Sequence, residues 1–194
     1  MIKNRMKMII LGVALTATSL FADISDNEFN TKSLVGIEGG FNNVDYVYDG
    51  SSSPENTHLS SIGLKIGSET RDFRIFLSTK YLNDSGNKYD YIVTYGGEFQ
   101  YKFNAFDFMN FFIGLNAGMA NIRFIPPVGS YTTISSPYYG GDVGMNIYLG
   151  NSVDLEFGGR VMSIQKTDTI NNIDYRFNKI VSAYASLIFK WDMD

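Results

Sequence analysis

The sequence has no cysteine, which excludes a disulfide framework, a cysteine-ligated metal site and a lipid-modified cysteine at an export cleavage site. Proline is scarce, at 4 residues, and there is one histidine and one tryptophan. Past the N-terminus no stretch is long and apolar enough to cross a bilayer as a helix, which needs ~20 apolar residues. There is no basic excess either: the formal net charge is −4, so the chain carries no electrostatic footprint for nucleic acid. Heptads and fixed-period repeats are also missing.

What is present is a leader and an alternation. The opening "MIKNRMKMIILGVALTATSLFA" places Lys3, Arg5 and Lys7 ahead of a mostly apolar core from Met8 to Ala17, with a small residue at Ala22. These are the parts of a secretory signal, and the core is too short for a membrane-spanning helix. Residues 1–22 therefore read as a signal peptide cleaved after Ala22, and 23–194 as one domain. Glycine (19), tyrosine (13) and phenylalanine (15) are abundant, a composition that suits sheets and not helices.

Eight runs alternate with period two: Ser33–Asn42, Ser60–Gly67, Phe73–Tyr81, Tyr91–Phe103, Phe111–Ala120, Tyr139–Leu149, Val153–Ser163 and Val181–Trp191. In "VDLEFGGRV", Val153, Leu155, Phe157 and Val161 share one face of an extended chain. Asp154, Glu156 and Arg160 share the other. Across the runs the second face carries Glu38, Lys65, Arg74, Lys80, Glu98, Lys102, Asp142, Asp154, Glu156, Arg160 and Lys190. None of these charges falls among the apolar set.

The connections differ systematically. "NVDYVYDGSSSPENTHL", "NIRFIPPVGSYTTISSPY" and "IQKTDTINNIDYRFNKI" are long and "LNDSGNKYD" is moderate, whereas "SETRD", "NAFDFMN" and "GNS" are short. In an up-and-down meander alternate connections share an end. One rim then carries long loops and the other tight turns.

A leader, alternating strands and this asymmetry are the marks of an outer-membrane barrel. The fold class is read as all-β, an eight-stranded antiparallel up-and-down transmembrane β-barrel. Most runs approach the ~9–11 residues of a tilted spanning strand, and strand edges must be closed in hydrocarbon. The apolar face then meets lipid and the charges point into a lumen too narrow for a wide channel. Buried charges need partners, so those eleven are expected to form a lumen ion-pair network, with inward glycines leaving room for Lys and Arg stems. Tyr81, Tyr91, Tyr101, Phe103, Phe111, Tyr139, Phe189 and Trp191 lie near strand ends on the outward face and are expected to form an aromatic girdle at the headgroup level.

In this pattern the chain resembles the small eight-stranded outer-membrane barrels of the OmpA/OmpX type. The final run "YASLIFKW", with Ser186, Leu187, Phe189 and Trp191 in the family's arrangement, is similar to the signal such proteins present to the barrel-assembly machinery. It departs from the family in the tail "DMD" after Trp191. The peptidoglycan-binding domain of OmpA-type proteins is absent after the barrel, and the domain plan expected is that of OmpX.

No chemistry-bearing motif stands beside this pattern. His58 and Ser60 are two apart, locally like the His-x-Ser pair of the lipid A deacylase PagL, but no strand-held acid is placed to orient the imidazole, and an activated hydroxyl needs an oriented base. Asp45, Asp49 and Glu55 share a connection without a calcium-type ligand spacing. Tyr46, Tyr48, Tyr131, Tyr138 and Tyr139 give the long-loop side adhesive capacity. The reading is of a non-enzymatic integral outer-membrane protein that serves envelope integrity or surface interaction through its long loops and carries no cofactor or metal. Its expected partners are outer-membrane lipid and lipopolysaccharide, the barrel-assembly machinery during insertion, and an unidentified surface partner. The alternatives are a narrow ion-conducting pore, a lipid A-modifying hydrolase, and a soluble lipocalin-like carrier with the apolar face inside.

Overall fold

The structure, a computed structural model, describes residues 31–48, 55–84, 89–124, 132–170 and 173–192. Residues 1–22, expected from the sequence to be a signal peptide, lie outside them with Asp49 and Tyr131, as do the side chains of Tyr46, Tyr48 and Glu55. Eight strands follow in order: β1 (Lys32–Tyr48), β2 (Glu55–Glu69), β3 (Phe73–Asp84), β4 (Tyr89–Phe106), β5 (Met109–Phe124), β6 (Thr132–Tyr148), β7 (Val153–Ile170) and β8 (Ile173–Asp192). Each pairs antiparallel with its sequence neighbour, and β8 pairs with β1 to close the barrel.

Closure is staggered. Following partners around from Ser33 passes through Ser68, Ile75, Phe99, Leu115, Gly141, Val161 and Val181 and returns to β1 at Asn43, ten residues farther along. Such a stagger tilts the strands by roughly 35–45° to the axis.

The strands are longer than the alternating runs. Most of each long connection is itself strand: β1 and β2 stay paired to Tyr46↔Glu55, β5 and β6 to Phe124↔Thr132, and β7 and β8 to Ile170↔Ile173. The expectation of three long loops on one rim is corrected accordingly. These segments are hairpin extensions of the barrel wall.

The reason the runs stop early is that the polarity of the two faces is exchanged along the strands. Near the short-turn rim the outward face is apolar: Ile37, Leu64, Leu77, Phe99, Leu115, Val143 and Leu187 are all exposed. The inward face there holds charge. Toward the other rim the outward positions become Asn43, His58, Ser60, Asn83, Asn121, Ser135 and Lys179. The inward ones become Val44, Leu59, Leu82, Ile92, Ile122, Ile134, Ile164 and Ile180, all buried in one apolar cluster. Period two continues throughout, and only the assignment of polarity to face reverses.

Glycine makes room for the lumen contents. A Cβ on Gly36 would lie 2.7 Å from Lys65 Cγ, and one on Gly63 2.9 Å from Lys80 Cγ. Others cradle rings: a Cβ on Gly158 would meet the Tyr184 ring at 2.5 Å, and one on Gly96 the Tyr138 hydroxyl at the same distance. At Gly140 the neighbour is backbone, with the Val161 carbonyl oxygen 1.8 Å from the Cβ position, whereas outward-facing Gly159 has nothing nearer than 3.9 Å.

Gly140→Ala is therefore expected to destabilise the barrel by about 1–3 kcal/mol, and Gly159→Ala to stay within about 0.5 kcal/mol of the parent. Urea midpoints of the two folded variants compare them directly.

Candidate functional site

All eleven charges read from the sequence as inward are buried in the lumen, from Arg74, Asp154 and Glu156 at 0% exposure to Lys190 at 8%. Strand alternation puts them there, and the register decides who meets whom. Toward the short-turn rim, Arg74 donates to Glu69 at 2.6 Å, to Asp154 at 2.8 Å and to Glu156 at 3.3 Å. It also donates to the Asn146 side-chain oxygen at 2.9 Å. Lys190 lies 2.7 Å from Asp154, and Lys102 donates to Glu69 at 3.0 Å.

A second group sits deeper. Arg160 bridges two acids, donating to Glu38 and to Glu98 at 2.9 Å each. Lys80 donates to Glu98 at 2.9 Å, and Ser78 to the same oxygen at 2.8 Å. Lys65 joins the two groups, reaching Glu156 at 2.8 Å and Glu38 at 3.0 Å. Asp142 stands apart: it accepts from the Gln100 and Asn116 amides at 3.2 and 3.3 Å. The Tyr184 ring supplies a further wall, with the Arg160 guanidinium 4.3 Å from its centroid, a cation–π contact.

Sequence reasoning missed one member. "SETRD" reads as a turn and Glu69 as part of it, but Glu69 ends β2, pairs with Arg74 across the ladder and is buried. It is the acid that Arg74, Lys102 and Lys190 converge on. The available signal was its spacing: Glu69 lies an even number of residues from Lys65, on the same face.

Above the charges the lumen is filled by apolar side chains. Phe124 and Phe177 meet edge to face with centroids 5.5 Å apart, and Met162, Ile134 and Tyr138 complete the layer. The sequence groups Tyr138 with the adhesive tyrosines. It is instead 3% exposed and points inward over Gly96 and Gly118, because β6 begins seven residues before Tyr139 and Tyr138 takes an inward place in it.

The eight outward aromatics occupy two levels. Phe103, Phe111, Phe189 and Trp191 lie toward the short-turn rim, with Tyr101 one outward step deeper. Tyr81, Tyr91 and Tyr139 lie toward the other rim, and Tyr81 and Tyr91 stack at 6.0 Å. Seven of them are 39–59% exposed, and Tyr91 is half-buried. His58 and Ser60 are both exposed on the outward face of β2, opposite Asn43 and Phe41 of β1. Asp45 pairs with Lys179 at 3.3 Å. A hollow of about 740 Å³ also opens outward, with Leu115, Val143, Val161 and Val181 around Gly141 and Gly159. Asp142, Arg160 and Ser182 also border it, but they are buried on the lumen side of the wall.

The geometry ranks the lumen charges. Removing one partner of a buried pair costs about 3–5 kcal/mol because the other charge is left uncompensated. Arg160→Met strips a cation from both Glu38 and Glu98, whereas Lys80→Met leaves Glu98 with Arg160 and Ser78. Arg160→Met is expected to lower the urea midpoint of the folded barrel by the larger amount.

The fold is similar to that of solved outer-membrane barrels. Neisserial surface protein A matches over 81% of this chain and 97% of its own, with a TM-score of 0.63 at 16% identity. The N-terminal β-barrel domain of Pseudomonas aeruginosa OprF matches over 84% and 98%, with a TM-score of 0.55 at 14% identity. Ail, the attachment invasion locus protein of Yersinia pestis, matches over 82% and 99%, with a TM-score of 0.50 at 12% identity. No protein-family model and no curated protein matches the chain. The likeness is one of architecture: this chain has the fold of the small eight-stranded outer-membrane β-barrels.

Proposed function

We propose that the protein is a non-enzymatic integral protein of the bacterial outer membrane that presents a β-structured platform at the cell surface. The observation that carries this reading is the exchange of polarity between the two faces along the strands. A band of exposed Ile, Leu, Val and Phe around the outside, over a lumen of paired charges, is stable only in hydrocarbon. Beyond that band the same strands have a polar outside and an apolar core, as in a barrel built for water. At ~2.5 Å of height per tilted residue, this second part stands on the order of 15–20 Å clear of the bilayer.

The platform, with Asn43, Asn121, Ser135 and the Asp45–Lys179 and Asp90–Arg123 pairs on its outside, is the surface offered to partners. Outer-membrane lipid and lipopolysaccharide surround the band, and the two levels of outward aromatics serve as its girdles. The barrel-assembly machinery inserts the chain after cleavage of the leader. Neisserial surface protein A and Ail are by name a surface protein and an attachment–invasion protein, which suits this reading without carrying it. The apolar layer across the lumen weighs against the narrow pore, and the outward apolar band weighs against a soluble carrier.

Because the chain has no native cysteine, single-cysteine variants give a clean test. Ser135→Cys is expected to react with a membrane-impermeant maleimide on intact cells, and Asn151→Cys only after the envelope is opened. Equal or reversed labelling would remove the proposed topology. In planar bilayers the purified, heat-modifiable protein is expected to give no steady conductance, and steady channels abolished by changing Glu98 or Arg160 would favour the pore instead.

A further inference from the structure

The short-turn rim is not uniform. The β2–β3 turn, "TRD" at 70–72, is polar, and the β6–β7 turn, "LGNS" at 149–152, carries one exposed apolar side chain, Leu149. The β4–β5 turn carries Phe106 and Phe108, which are 55% and 59% exposed, with ring centroids 5.7 Å apart. Two phenylalanines held in water at a hairpin tip are a standing hydrophobic cost, so what covers them is a question the fold itself poses.

The local backbone is built to aim them. Phe103 faces outward opposite Phe111, and strict alternation from Phe103 would turn Phe106 inward. The register shifts between these positions: Phe103 pairs with Phe111 and Phe106 with Met109, so two residues of β4, Asn104 and Ala105, oppose Asn110 alone. This is a β-bulge, a device that re-aims a side chain, and here it returns Phe106 to the outward face. The tip is also tethered on both flanks. The Asn104 amide donates to the Arg71 carbonyl and the Asp72 carboxylate at 3.1 Å each, and the Tyr148 N–H donates to the Phe108 carbonyl at 2.9 Å.

We propose that this turn is a membrane-interface anchor, with Phe106 and Phe108 seated in the interfacial layer of the periplasmic-leaflet phospholipid. The proposal rests on the membrane-spanning reading above. Its occupant follows from continuity: the bulge places Phe106 on the same outward face as Phe103 and Phe111, and the Phe108 ring packs beside it, so the lipid-covered surface extends directly onto the tip. A second copy fits poorly, since two rings at roughly 150–250 Å² each fall short of the ~1,200–2,000 Å² of a stable interface.

The test uses the full-length protein folded into phosphatidylcholine vesicles, with Trp191→Phe removing the native fluorophore and heat-modifiable migration checking the fold. Phe108→Trp and Phe106→Trp are made separately, so that one folded variant suffices, and Leu115→Trp reports the spanning band. The anchor predicts blue-shifted emission at the tip, protection from acrylamide, and loss of most emission in lipid brominated near the headgroup. Quenching at the tip should be weaker with bromine near the chain end. Red-shifted emission open to acrylamide and indifferent to brominated lipid, with Leu115→Trp still quenched, would overturn the anchor and leave the barrel in the membrane. Protection from acrylamide without lipid quenching would assign the tip to a protein contact and overturn it too. If Leu115→Trp is also untouched by brominated lipid, the spanning reading falls, and the anchor with it.

Discussion

The arrangement depends on charge that has nowhere to go but to its opposite. Inside the barrel, Glu38, Glu69, Glu98, Asp142, Asp154 and Glu156 face Lys65, Arg74, Lys80, Lys102, Arg160 and Lys190, six of each sign. An isolated ion in such a place costs several kcal/mol, and attraction repays it only where geometry is good and the remaining donors and acceptors are used. Here Arg74 spends its guanidinium on three acids and an amide, and Arg160 divides its own between two acids. The network ties β2, β3, β4, β7, β8 and β1 through side chains as well as through the ladder. That makes it a specification of register as much as a source of stability: a slip of one residue would turn every one of these charges into hydrocarbon.

Much of this was legible in the sequence, because period two survives any uncertainty about strand ends. Once Leu155 and Phe157 face one way, Asp154 and Glu156 must face the other, and the eleven lumen charges follow without knowing a single partner. Glu69 escaped because a short polar string between two strands reads as a turn, while the ladder holds Glu69 against Arg74 and extends the strand over it. Partners themselves were out of reach, since they depend on the stagger, which no one strand encodes.

The wall beyond the membrane was missed for a more instructive reason. The apolar set on the outward face ends at Phe41 on β1 and at Ile62 on β2, where Asn43 and Ser60 take over. The strands do not end there; the solvent changes. Val44, Leu59 and Ile134 continue the alternation on the opposite face, so a segment that looks like a polar loop interspersed with apolar residues is a strand read with the wrong face outward. Tyr138 was misassigned by the same error.

One strand therefore obeys two rules, and the sign of a substitution depends on height as well as on face. An outward leucine is stabilising beside Leu115 and a liability beside Asn121, six residues farther along the same β5. The boundary between the rules is fixed by composition, not by any loop, and it holds the barrel at one depth: sliding outward would hydrate Phe41 and Ile62, and sliding inward would bury Asn83 and Lys179 in hydrocarbon. A tapering polarity would leave that depth loosely defined. The abrupt exchange within two or three residues on most strands is what lets a single closed sheet carry both a lipid-facing band and a water-facing wall, with the same strands running through the two.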